Sequence, residues 1–573
     1  MAQLDFVVMA VFALLIFAIG LAFTRVGSKN SQAFFEAGGE TPWWINGLSL
    51  FISYFSAGTF VVWGSIAYKH GLAANVIQLT MAISGLLTAM FIAARWKRTG
   101  TRTAAEYIGL RFGTRAQQFY TYLILVLSLV NTSAVLYPVG KMVYVATPLS
   151  LNTCIIIIGI IIVLYTAAGG LWAVLVTDVV QFIILMAAVL IVIPAALGDV
   201  GGFQSFVQKA PADFFEPFSN DYTAGFMLAF IGYQTVYIGG NWAYVQRYTS
   251  VSSERNAKKV AYLFCILYLV SPVIWMLPPM IYRVINPGLQ GLEPEGAYMM
   301  LCQKILPAGL IGLVLSGMIS ATSSKANTTI NLAAVVFAND VYKKIIHPAA
   351  SDKTLVLIAR IFTLLFGAGT IVVAMLVPLA GGIVEVVLSI AAIAGGALFA
   401  PMIWSLFSKH LTTISVITTT VVALSVNLFF KVIVPVIVHI KLSRTVETVM
   451  GVGIPLVLLG LFEVYYRSRN QVDPGALVLE EHIRKASRTG HAHQHDHQEA
   501  ARQNRFGVSV IVIASSFVGL GIFALGCASG TNYTVMMVGG VVFIVSIASL
   551  LRIRIGAATA VKEKAVPSVK SPV

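Results

Sequence analysis

Apolar runs of about twenty residues recur along the whole chain, and that recurrence limits the fold more than any single motif does. At a rise of 1.5 Å per residue, about twenty residues of helix cross a ~30 Å hydrocarbon core. Of the 573 residues, 58% are hydrophobic and 11% are charged, whereas a soluble protein carries roughly a quarter charged residues. The chain reads as an all-α polytopic membrane protein. Its first run, Leu4 to Phe23, has no basic leader and no small-residue cleavage site before Arg25. It reads as a true span and not as a signal peptide.

The pattern predicts about fifteen spans, near 4–24, 43–69, 73–95, 117–146, 149–169, 172–197, 222–246, 257–284, 305–341, 354–378, 380–407, 411–432, 448–466, 506–527 and 531–553. A formal net charge of +15 would suit a nucleic-acid binder, but the basic residues do not form one face. They cluster at Arg25–Lys29, Arg95–Arg115, Arg247–Lys259, Lys343–Lys353, Arg467–Arg505 and Arg552–Lys570, while the 198–221 and 284–304 loops are acid-leaning or mixed. This alternation is the positive-inside pattern of a multi-pass protein in the inner (plasma) membrane, with the N-terminus outside and the C-terminus cytoplasmic. The expected partners are the lipid bilayer and a small-molecule solute, with no nucleic acid and no obligate protein partner. The four cysteines, Cys154, Cys265, Cys302 and Cys527, lack metal spacing and read as free thiols. In the hydrophilic segment 467–505, "HAHQHDHQ" places His491, His493, His495 and His497 at alternate positions. Such a tract can bind a divalent metal, but it reads more simply as a solvated linker, so no metal site and no cofactor is expected.

Inside one span lies "ATSSKANTTIN" (321–331), whose Lys325 is the only charged side chain between Lys304 and Asp340. It sits more than ~20 Å along a helix axis from either flanking charge, too far for its stem to reach water. A charge placed so is costly unless paired or neutralised, and it marks a functional site by default. Two other spans look interrupted. "GLSLFISYFSAGTFVVWGS" (47–65) and "FIGYQTVYIGGNWAYVQR" (230–247) mix apolar residues with Gly, Ser, Thr, Asn or Gln at mid-depth. Paired broken helices point to an inverted-repeat transporter with its site at the midplane, although small residues also serve close helix packing.

Four ordered motifs resemble those of the sodium:solute symporter family, the sodium/glucose transporter relatives: "TAAEYIGLRFG" (103–113), "TAAGGLWAVLVTDVVQ" (166–181), "NWAYVQRYTS" (241–250) and "VVFANDVYKK" (335–344). The resemblance covers about residues 1–465. It implies a LeuT-type five-plus-five inverted repeat, with one helix before it and about four after. The expected division is a leading helix and inside loop (1–42), a first repeat (43–197), an outside loop (198–221), a second repeat (222–409) and peripheral C-terminal helices (410–573).

In that family a sodium ion sits between unwound core helix 1 and core helix 8. Carried over without gaps, its ligands would be the carbonyls of Ile52, Phe55 and Ala321, the Ser324 hydroxyl and a hydroxyl at the next position. That next position is Lys325. An ammonium supplies no oxygen and repels sodium. This departure from the family pattern points to transport without sodium, either coupled to protons or facilitative, with Lys325 as the surrogate cation, Asp178 its expected partner and Thr328 in the cage. A static ion pair between core helices 5 and 8 is the plainer reading. A one-residue shift onto Ser323 and Ser324 would restore a conventional sodium symporter.

Family substrate positions fall on Thr59, Gln78, Gln234 and Tyr237, and near Glu385, with Asn131 a further candidate. Gln78 could equally be satisfied by a neighbouring helix, and Trp63 and Trp242 are available for stacking or packing. The expected function is a secondary transporter, not an enzyme, that moves a small polar organic solute inward by alternating access. A sugar is favoured slightly over an amino or carboxylic acid. A transporter-like nutrient sensor is the competing class, and an enzyme built on the histidine tract lacks a nucleophile beside it.

Overall fold

The structure, a computed structural model, describes residues 1–27, 41–101, 103–165, 171–347, 349–439, 441–489, 494–529 and 532–565. All regular elements among them are helices, as hydrocarbon surroundings require when each backbone N–H and C=O must find its partner within its own segment. α1 (Gln3–Gly27) leads. The first half of the core holds α2 (Trp43–Ile52), α3 (Gly64–His70), α4 (Leu72–Leu87), α5 (Thr114–Ala146), α6 (Leu151–Tyr165) and α7 (Leu171–Val200). The second half holds α8 (Ala224–Gly240), α9 (Trp242–Thr249), α10 (Glu254–Ile285), α11 (Leu310–Val336), α12 (Asp352–Leu376), α13 (Ile383–Ile390) and α14 (Gly396–Ser405). Outside the core lie α15 (Thr413–Leu428), α16 (Arg444–Ser468), α17 (Pro474–Thr489), α18 (Gln494–Ala528) and α19 (Tyr533–Ala565).

A described helix lies in each of the fifteen predicted spans. Ten helices among the described residues are long and apolar enough to cross a membrane, and four shorter apolar ones add to them. The arrangement is LeuT-type: each half opens on an interrupted helix, α2/α3 in one and α8/α9 in the other. Polar side chains start several of the helices. Thr223 accepts from the Phe226 N–H, Ser253 from Asn256 and Ser351 from Thr354, each satisfying a donor that the first helical turn leaves free.

Two tethers fix the surroundings of the core. Asp5 of α1 is almost fully buried and accepts from the N–H groups of Gly309 (2.7 Å) and Gly312 (3.1 Å), at the start of α11. A carboxylate suits that place, since the first N–H groups of a helix lack partners and its dipole is positive there. Gly312 permits the approach: a Cβ there would come within 2.2 Å of the Asp5 carbonyl oxygen. At the other end of the bundle, buried Arg111 pairs with Asp473 at 2.6 Å and donates to the Leu411 carbonyl at 3.0 Å. The chain then continues directly into α17. The hydrophilic segment 467–505 is therefore held to the bundle at its start, because a buried guanidinium needs its carboxylate. The side chains of the histidine tract lie outside the described residues.

Candidate functional site

The two interruptions are built differently. Between α2 and α3 regular helix is lost over Ser53–Ser56. There the Thr59 hydroxyl donates to the Tyr54 carbonyl (3.0 Å) and accepts from the Ser56 N–H (3.1 Å). The Ser53 carbonyl takes its donor from another helix altogether, the Lys325 ammonium of α11 at 3.0 Å. Aromatic packing holds the unwound segment in place, with Phe55 stacked on Trp275 at 3.5 Å between ring centroids and Phe60 on Tyr298 at 4.0 Å. Between α8 and α9 a single residue intervenes. Asn241 adopts an extended backbone and its side chain accepts from the Ala243 N–H at 3.0 Å.

Two adjoining cavities open beside these breaks. One, of about 140 Å³, lies between the segment 54–63 that leads into α3 and helices α4, α5, α8 and α13, and includes Trp63, Met81, Asn131, Phe230, Gln234 and Val387 in its wall. The other, of about 200 Å³, extends toward the end of the bundle that carries Arg98 and Arg111 and includes Ile52, Asp178, Trp242, Arg247 and Ala321. Both are lined by Ser56, Asn131, Tyr233, Tyr237, Tyr244, Ile390 and Lys325. Lys325, half-buried, thus stands where the two spaces meet. Gly395 makes room for this wall, since a Cβ on it would lie 2.1 Å from the Tyr233 ring.

The structure brings Ile52, Asn131, Asp178, Gln234, Tyr237, Ala321 and Lys325 to these cavities. Tyr237 packs edge-on against Tyr54 (6.2 Å) and Phe399 (5.6 Å), and the buried Gln234 Oε1 has no hydrogen-bond partner among the described residues. Four expected contacts fall elsewhere. Thr59 is spent on closing the break in the backbone. Phe55 lines neither cavity and its ring is sealed against Trp275, although the ligand expected of it was its carbonyl, which the stacked ring leaves untouched. Gln78 is fully buried outside both cavities, with neither amide atom bonded among the described residues. Glu385 lies at the opposite end of the bundle, where Lys431 (2.7 Å) and Arg444 (3.7 Å) claim its carboxylate. It sits at the N-terminus of α13, so its lysine comes from the peripheral helices and not from the solute path.

The expected pairing of Lys325 with Asp178 takes another form. The Asp178 carboxylate accepts from the Ser49 hydroxyl at 2.6 Å, and the same hydroxyl accepts from Arg247 at 3.3 Å. The acid is thus engaged in a Ser49–Arg247 cluster, while the ammonium is held by the Ser53 carbonyl. Ser323 donates to the Ile319 carbonyl at 2.7 Å and lines neither cavity. The side chains of Ser324 and Thr328 lie outside the described residues.

Sequence reasoning missed Ser53, Tyr54, Tyr233, Tyr244 and Arg247. Ser53 was one residue from the expected Ile52. The tyrosines had the look of ordinary packing residues, and Arg247 opened a basic cluster that the charge pattern had already explained.

The family model of the sodium:solute symporter family matches residues 34–422. The chain is 29% identical to the sodium/iodide cotransporter of Homo sapiens over 399 residues, covering 66% of this chain and 61% of that protein. It is 27% identical to sodium/glucose cotransporter 1 of Mus musculus over 410 residues, 63% of this chain and 61% of that one. The chain thus spans about three fifths of the length of the curated relatives it matches. Among solved structures, a substrate-bound, outward-open sodium-coupled sialic acid symporter superposes with a TM-score of 0.67 at 20% identity, over 81% of this chain and 98% of that one. That likeness is one of fold.

Proposed function

The chain belongs to the sodium:solute symporter family, and on that premise we propose that it is a secondary transporter in which the Lys325 ammonium stands where relatives place sodium. The carrying observation is the 3.0 Å bond from Lys325 to the Ser53 carbonyl: a side-chain cation caps the unwound backbone that opens the first repeat. Unwinding frees carbonyls that can coordinate a cation. Here the cation is tethered to α11, so it cannot dissociate into either solution. Only its proton can leave. If Lys325 releases that proton during the cycle, a pH gradient drives uptake; if it stays charged, the protein is a facilitator or exchanger. Neither version responds to a sodium gradient.

The transported species is a small polar organic solute, bound near Asn131, Gln234 and Tyr237 at the meeting of the two cavities. The names of the relatives span a sugar and the iodide anion, so family membership does not decide between neutral and charged solutes. The basic end of the bundle faces the cytoplasm on the charge pattern. Single cysteines placed at Ser487 and Ser571, with the native cysteines removed, should then resist an impermeant thiol reagent applied to intact cells.

The sodium reading is tested without knowing the solute. A ligand that binds only the folded state raises its stability by RT ln(1 + [L]/Kd). Replacing potassium by sodium at constant ionic strength should leave the melting temperature of the purified protein unchanged. Lys325→Ser restores a hydroxyl and should gain a sodium-dependent increase. Sodium stabilisation of the unmutated protein, with sodium-driven glucose accumulation in proteoliposomes, would overturn the proposal in favour of a conventional symporter using Ser323 and Ser324. Ser323 lines neither cavity, which speaks against that alternative.

A further inference from the structure

We propose that the solute is a small monocarboxylate whose carboxylate is bound by Lys325 at the junction of the two cavities. The inference rests on the reading of this junction as the solute site and goes beyond it by naming the chemical class. Among the described residues lining the 140 Å³ cavity, Lys325 is the only charged one. The larger cavity adds Asp178 and Arg247, which Ser49 already joins to each other. A protonated Lys325 thus gives both spaces an excess of one positive charge.

The ammonium is not used up by its surroundings. It carries three N–H donors. Its one hydrogen bond among the described residues goes to a neutral carbonyl, and no carboxylate there lies within ion-pair distance of it. Among the described residues, two donors are left to face a pair of cavities that the side chain itself lines. Burying an unpaired cation is expensive, and an incoming anion relieves that cost where a neutral sugar cannot. The anion also favours the protonated lysine, so binding and protonation reinforce each other. The rest of the smaller cavity supplies apolar and neutral polar surface: Trp63, Phe230 and Tyr233 for a short carbon chain, Gln234 and Asn131 for a hydroxyl or keto oxygen.

Among the described residues no acid lines the smaller cavity, so an amino acid would bring an ammonium without a counter-charge, next to a second ammonium.

The test uses the full-length protein in proteoliposomes with potassium as the only metal cation. The probes are straight-chain and 2-hydroxy monocarboxylates of two to six carbons, the matching primary amides, and glucose. At least one acid should bind and be taken up, with an affinity at least about tenfold above that of its amide, the margin that a charge-assisted hydrogen bond supplies. The comparison needs no variant, so it holds even if substitutions misfold. Lys325→Gln should abolish the discrimination and Lys325→Arg should keep it. Equal affinity for acid and amide, uptake of glucose without competition from any acid, or binding of no acid in the series would each overturn the inference. Repeating the uptake with a sodium gradient separates the two proposals. Sodium-driven accumulation of an acid would sink the surrogate-cation reading and leave the carboxylate; sodium-independent uptake of glucose alone would do the reverse.

Discussion

The two helix breaks that define the core solve one problem in opposite ways. The break between α8 and α9 is one residue long and closes locally: Asn241 supplies its own cap two residues on. The break between α2 and α3 runs over four residues, Ser53–Ser56. It is closed partly by Thr59 and partly by a lysine 272 residues away. A local cap persists whatever neighbouring helices do. A cap supplied by α11 holds only while α11 and α2 keep their distance. The first break can therefore report, through one hydrogen bond, how the two halves of the core are placed, and the second cannot. Coupling between a cation and a conformational change needs the nonlocal kind.

The sharpest way to break this comparison is Lys325→Met, which keeps the unbranched stem of the side chain and removes the donor. Uptake should fall by at least about tenfold, because the Ser53 carbonyl loses its partner and the junction its charge. Stability should fall little, since removing a buried cation also removes its desolvation cost. A melting temperature that collapses together with transport would make the lysine a structural strut and erase the contrast between the breaks.

Thr59→Val comes next. It is near-isosteric but strands the Tyr54 carbonyl and the Ser56 N–H, each costing roughly 1–3 kcal/mol when buried without a partner. The melting temperature should drop clearly while any discrimination between acid and amide survives, since Thr59 lines neither cavity. A loss of selectivity at unchanged stability would return Thr59 to the solute site.

Gly240→Ala probes the second break through packing alone. A Cβ there would lie 2.8 Å from the Phe399 side chain and 3.3 Å from its carbonyl, an overpacking that costs about 1–3 kcal/mol. The effect should appear in the melting temperature and spare the response to pH. A variant as stable as the parent would show that α8 and α14 can move apart freely at this point.

What the sequence disclosed follows the reach of the forces involved. Spans were legible because hydrocarbon thickness imposes a length that the chain must repeat. Lys325 was legible because charge is scarce there, and the second break because Gly239, Gly240 and Asn241 concentrate the residues that end helices. The first break was legible as a region but not to the residue. Its register is set by the Phe55–Trp275 stack and by Thr59, and either serine or threonine could have faced a solute. Glu385 misled for a related reason: its partner Lys431 is 46 residues away, beyond the core, and nothing local marks an acid as already paired. Ser49 was invisible, since a hydroxyl bridging Asp178 and Arg247 looks in sequence like any small residue of a packed helix.

The mildest substitution sharpens the comparison most, because the two views of Asn241 differ by a sign in ranking. If the side chain matters only as a cap, the cost follows known cap preferences: about 0.5–2 kcal/mol for Asn241→Ala, a few tenths for Asn241→Gly and almost nothing for Asn241→Asp. Uptake should then track stability. However, Asn241 also lines the larger cavity, as Arg247 and Lys325 do. If its amide takes part in passing an anion along that path, Asn241→Asp should keep the helix start intact and still depress uptake of a carboxylate, because it adds a negative charge where one is least welcome. Melting temperature and initial uptake rate of the three variants, measured side by side, separate these cases. Parallel changes across the series confine the second break to a structural role. A stable Asn241→Asp with slowed uptake would extend the charge-reading path from Lys325 across to α9.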